Sequence, residues 1–98
     1  MAKFFMLVTN EASAAQQVLL RGLFRHSGFG WWHHFPQAWM LTTLKEEADV
    51  TMLREAIMAM TPGLQFFVFE MQPARWAGYA PNRSGQWLDA VFFKRSDS

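Results

Sequence analysis

The sequence predicts an α+β domain: a four-stranded antiparallel sheet with two helices on one face. Three observations carry that prediction. First, the run from Phe29 to Thr43 is rich in aromatic and β-branched residues, which favour a half-buried pleated surface. Second, Pro36-Gln37 interrupts the run, and proline cannot continue a strand ladder, so it reads as two strands meeting at a tight turn. Third, a helical pattern lies on each side of this hairpin, and an apolar strand lies beyond each helix. The resulting order, βαββαβ, is that of the ferredoxin-like split βαβ unit.

The elements follow in order. The first strand runs from about Lys3 to Thr9 through Phe4-Phe5-Met6-Leu7-Val8. That stretch is too short to span a bilayer, and no small-residue cleavage site follows it, so neither a membrane anchor nor a leader peptide is expected. Ser13 and Gln16 have capping-box spacing and start the first helix. Ala15, Val18, Leu19, Gly22, Leu23 and His26 follow one face of it at three-four steps, Leu20 and Phe24 widen that stripe, and Arg21 and Arg25 lie on the outer side. Gly28 is the stop signal. After the hairpin, Asp49 caps a second helix whose buried stripe is Val50, Leu53, Ala56, Ile57 and Met60, and Thr61-Pro62-Gly63 ends it. Leu64 to Met71 is the last core strand. Beyond it, Trp87, Leu88, Val91 and Phe92 fit a short C-terminal helix, capped by Ser84, better than an alternating strand.

Ninety-eight residues make one domain, with a core over about 3–72 and an extension over about 73–95, large enough to fold without disulfides or metal. Cysteine is absent, which excludes thiolate chemistry and cysteine-based metal sites and suits a cytoplasmic protein. Nine basic and eight acidic residues leave the chain near neutrality, so charge alone would not hold nucleic acid; a local patch would be needed.

Both faces of the strands read as apolar. Leu64, Phe66 and Val68 alternate with Phe67, Phe69 and Met71, and Phe4, Met6 and Val8 with Phe5 and Leu7. Two helices cover one face, and a monomer seldom leaves a large apolar patch bare, so a homodimer packed sheet to sheet or with an exchanged tail is expected. Phe5, Leu7, Trp39, Phe67 and Phe69 are the expected interface residues.

Sites of chemistry are few. His33 and His34 are adjacent on a strand and point to opposite faces, so they cannot chelate one metal within a chain. No metal, cofactor or catalytic residue is expected: the chain has no phosphate loop, nucleophile elbow, dinucleotide fingerprint or paired-carboxylate motif. The five tryptophans would suit a base-stacking platform, but such platforms set lysine, arginine and glycine among their aromatics. Trp39-Met40-Leu41-Thr42-Thr43 and Phe4-Phe5-Met6-Leu7-Val8 hold none, which favours core or interface. Arg21 and Arg25, with Lys3, Lys94, Arg95, Arg75 and Arg83, could form a small basic surface or be ordinary solvated charge.

The chain resembles small bacterial proteins labelled SinR-like, relatives of the CRISPR-associated ferredoxin-like integration subunit and endoribonuclease. The likeness lies in Lys3-Phe4-Phe5-Met6-Leu7-Val8, in Trp32-His33-His34-Phe35-Pro36-Gln37-Ala38-Trp39-Met40-Leu41, in Leu64-Gln65-Phe66-Phe67-Val68-Phe69-Glu70, and in Trp76-Ala77-Gly78-Tyr79 followed by Trp87-Leu88. In the CRISPR-associated relatives an aspartate closes the first strand and, paired across a dimer, serves a metal-dependent nuclease. The matching place here is Thr9 or Asn10, and neither supplies a carboxylate to hold a divalent cation. The resemblance therefore implies the dimeric scaffold and contact with a phosphate backbone, without the nuclease centre.

Three functional expectations follow. The leading one is a non-catalytic homodimer that binds nucleic acid, or a nucleic-acid-handling partner, through Arg21, Arg25, Asn10, Arg75, Arg83 and Lys94. A second is a weak metal-dependent nuclease using Glu11 or Glu70 with Asn10. A third is an apolar ligand pocket between dimer sheets lined by Trp31, Trp39 and Phe67.

Overall fold

A computed structural model describes residues 2–72. The expected short C-terminal helix and the basic positions Arg75, Arg83 and Lys94 lie outside the described residues. The elements are β1 (Lys3–Thr9), α1 (Ala14–His26), β2 (Gly30–Phe35), β3 (Ala38–Thr43), α2 (Val50–Met60) and β4 (Phe66–Met71). The strands form one antiparallel sheet in the order β2-β3-β1-β4, the ferredoxin-like arrangement. Strands β1 and β2 run parallel through α1, as do β3 and β4 through α2; two crossovers of the same hand place both helices on one face. No helix among the described residues is long and apolar enough to cross a membrane.

Local chemistry sets the boundaries. The Ser13 side chain accepts from the Gln16 amide at 3.1 Å, and the Gln16 side chain accepts from the Ser13 amide at 2.9 Å, closing a capping box. At the other end of α1 the Phe29 amide donates to the Phe24 carbonyl and the Gly28 amide to the Arg25 carbonyl, a Schellman motif. Gly28 sits at φ 77°, a region that penalises any side chain, and the Phe24 and Phe29 rings close the turn 6.2 Å apart. The Asp49 carboxylate accepts from the Met52 amide at 2.7 Å and starts α2. Strand β4 begins at Phe66, two residues later than expected. Leu64 is still held by the turn that ends α2, its amide donating to the Thr61 carbonyl, with Gly63 at φ 89°.

The core lies between sheet and helices. Phe5, Leu7, Trp39 and Leu41 from the sheet meet Leu20 and Phe24 of α1 and Leu53 and Ile57 of α2, with Phe29, Ala48 and Leu64 closing the sides. The phase of α1 differs from the sequence expectation. Leu20 and Phe24 are the buried centre, whereas Val18 and Leu19 are 57% and 42% exposed. Two apolar arcs compete on this helix, and the one carrying the phenylalanine wins because its ring meets Trp39 edge-on at 5.5 Å. Met60 also turns outward, at 38% exposure, since α2 is about to end there.

Candidate functional site

Cross-strand register assigns every strand residue to a face. Leu41 stands opposite Phe5 and Trp31, and Val68 opposite Leu7, so Phe5, Leu7, Trp31, Trp39, Leu41, Phe66 and Val68 share the helix side. Phe4, Met6, Val8, Trp32, Met40, Phe67, Phe69 and Met71 share the open side. The open side is apolar but unevenly exposed. Trp32 is nearly buried, with His34 and Phe35 edge-on to it at 5.3 and 4.9 Å, and Met6 and Met40 are half-buried. Exposure concentrates at β4, where Phe67 is 72% and Phe69 52% exposed, their rings 6.3 Å apart.

This corrects the expected interface. Phe67 and Phe69 lie on the open surface, but Phe5, Leu7 and Trp39 are fully buried beneath the helices and cannot meet a partner. Alternation names the two sets; it does not say which one the helices cover. The expected ligand pocket fails for the same reason. Trp31 and Trp39 are on the helix side and Phe67 on the other, so the three cannot line one cavity.

A shallow groove of about 340 Å³ opens between α2 and β4, lined by Val50, Thr51, Arg54, Phe66, Phe67 and Val68. Its charged member, Arg54, is not among the site residues expected from sequence. It pairs with its neighbour Glu55 at 2.6 Å, both side chains well exposed. The signal that could have found this groove is an edge strand with no lysine or proline next to a helix-borne arginine, which requires the strand order.

Of the expected basic residues, Arg21 and Arg25 of α1 fall at the opposite edge of the sheet, beside β2. Arg25 is exposed and its guanidinium lies 5.7 Å over the Trp31 ring, a cation–π pair. Arg21, one turn earlier, is half-buried and close enough to act on His33. The His33 ring stacks on Trp39 at 3.6 Å, 8° from parallel, with Nε2 3.3 Å from the Pro36 carbonyl. Burial holds His33 below its usual 6.5; the Pro36 carbonyl opposes this, and the charges of Arg21 and His34 add to it.

At the end of β1, Asn10 is exposed, and its side chain and backbone are engaged by Gln65. Its side-chain oxygen accepts from the Gln65 amide at 3.3 Å, and its own amide donates to the Gln65 carbonyl at 2.9 Å, tying β1 to the start of β4. Thr9 is buried, and its hydroxyl has no hydrogen-bond partner among the described residues. Glu70 is opposite Phe5 in the register, so five residues of strand, about 16 Å, separate it from Asn10. Glu70 is therefore not brought to Asn10, whose chain neighbour is Glu11. Among the described residues no group of three or more His, Asp or Glu side chains is placed to hold a metal ion. No protein-family model matches this chain, and searches of curated proteins and of solved structures give no match to it.

Proposed function

We propose that the chain is a non-catalytic, self-associating scaffold whose partner is nucleic acid or a nucleic-acid-handling protein. The observation that carries the self-association is the exposure of Phe67 and Phe69 on an apolar sheet face that the helices leave bare. Two rings of this size in water favour a protein partner, and a second copy presents the same surface in a self-complementary way. Support for the nucleic-acid partner is the resemblance to phosphate-backbone-binding relatives, together with Arg21 and Arg25 one helical turn apart on α1. The non-catalytic reading rests on the end of β1, where a buried threonine and an asparagine engaged by Gln65 stand at the place of the relatives' aspartate.

Two measurements test the proposal. Light scattering over a concentration range gives a dimer mass if the scaffold self-associates, and a monomer mass at all concentrations refutes that part. Binding of single- and double-stranded oligonucleotides is then followed against salt. Affinity should fall steeply as salt rises and weaken in Arg21→Ala and Arg25→Ala; affinity indifferent to salt, or no binding at low salt, removes nucleic acid as the partner.

A further inference from the structure

The sheet has two outer strands among the described residues, and their edges differ. Strand β2 begins with Gly30, loses register with β3 between Trp32 and Phe35, and ends at Phe35, just before Pro36. Glycine, bulge and proline are the devices that blunt an edge against pairing. Strand β4 has none of them. Its sequence Phe-Phe-Val-Phe-Glu-Met pairs with β1 in unbroken register from Phe66 to Met71.

The direction of the β4 amides follows from two bonds at the end of β1. Thr9 donates toward β3, to the Gln37 carbonyl, and Asn10 donates toward β4, to the Gln65 carbonyl. Alternation then turns Val8, Met6 and Phe4 toward β4, and their opposites Phe67, Phe69 and Met71 toward β1. The N–H and C=O groups of Phe66, Val68 and Glu70 consequently face the outer edge.

We propose that β4 pairs antiparallel with β4 of a second copy, about a two-fold axis at Val68, extending the two sheets into one. This deepens the self-association reading above and rests on it. With the axis at Val68, Val68 stands opposite Val68 and Phe66 opposite Glu70 of the second copy. Outward-facing groups then meet outward-facing groups along the whole strand. An axis shifted to Phe67 or Phe69 leaves one end unpaired, and an axis between residues sets outward groups against inward ones.

The side chains agree with that register on both faces. On the open face Phe67 falls opposite Phe69 of the second copy, and the reverse, which sets the two most exposed phenylalanine rings of the described chain side by side with their counterparts. On the helix face Glu70 of the second copy arrives beside Phe66, next to the groove that Arg54 lines. A carboxylate is thus brought, twice by symmetry, toward the Arg54 guanidinium, which pairs with Glu55 in its own chain. This charge complementarity, together with the self-complementary backbone, is what selects a second copy as the occupant.

The test exploits the absence of cysteine. Val68→Cys places two thiols across the axis, where an antiparallel pair has Cα atoms about 5.5 Å apart, inside the disulfide range. Mild oxidation of the full-length variant is expected to give a covalent dimer, and Val8→Cys on the open face is expected to stay uncrosslinked. Charge exchange is the second arm. Arg54→Glu and Glu70→Arg should each weaken dimerisation on the order of tenfold, and the double variant should recover it. A dimer that neither crosslinks in the Val68→Cys variant nor responds to the charge exchange overturns this seam and leaves self-association standing. Crosslinking of the Val8→Cys variant overturns it in favour of face-to-face packing. A monomer at every concentration overturns the self-association reading itself.

Discussion

On the helix side of the sheet Phe5, Leu7, Trp39 and Leu41 are fully buried; on the other side of the same sheet Val8, Phe67 and Phe69 are 37%, 72% and 52% exposed. The two sets are built from similar side chains at alternating positions. The difference between them lies in what is above the sheet, not in the strands. One face meets the Leu20–Phe24 arc of α1 and the Leu53–Ile57 arc of α2, and the other meets solvent around β4. An apolar strand residue is therefore a core residue on one face and an interface candidate on the other. Burial within the chain stabilises the fold, while exposure reserves the same kind of surface for association.

Substitutions on the two faces should separate sharply. Phe24→Ala, on the covered side, should cost about 3–5 kcal/mol in denaturant unfolding, because it removes a ring packed against Phe29 and Trp39. A loss below about 1 kcal/mol would mean that the covered face is not the core. Ser13→Ala, which uncaps the helix carrying that ring, should cost about 1 kcal/mol, read from the same unfolding curves.

His33 gives a pH handle on the margin of the covered face. Its folded pKa lies below the unfolded 6.5, so both states are neutral well above that value and the histidine contributes no slope there. As pH falls through 6.5 the unfolded chain takes up the proton first, and stability should decline until the folded pKa is passed. Thermal melts between pH 8 and pH 5 should show that decline, reduced in His33→Gln; an unchanged slope in the variant would assign it elsewhere.

Thr9→Val should be neutral or slightly stabilising. It replaces a buried hydroxyl that has no partner among the described residues with a methyl group of the same shape. A large loss would show that the hydroxyl is engaged. Phe67→Ser should move monomer stability by no more than about 0.5 kcal/mol, yet shift the dimer equilibrium measured by light scattering. Equal losses of stability in Phe67→Ser and Phe24→Ala would dissolve the distinction between the faces.

Several features are legible in the residues alone. Ser13 with Gln16, Asp49, and Gly28 announce the helix boundaries, since capping and left-handed turns depend on a few neighbouring atoms. Pro36-Gln37 announces the hairpin, and period-two alternation sorts the strand residues into two sets. The site is legible only in part. Phe67 and Phe69 emerge as surface residues, but the pattern joins Phe5, Leu7 and Trp39 to them wrongly and passes over Arg54.

By itself the sequence determined the order of elements, the helix ends, and the two alternating apolar sets, because each of these is settled within a turn or two of chain. Tertiary structure alone decided which set the helices cover, which of two apolar arcs α1 turns inward, and which of the described strands stand at the edges. Those choices depend on the path of the two crossovers and the order β2-β3-β1-β4, which bring together residues as far apart as Phe4 and Met71. No local pattern encodes such a contact. It exists only once the sheet has closed around Phe24 and Trp39 and left the edge of β4 facing outward.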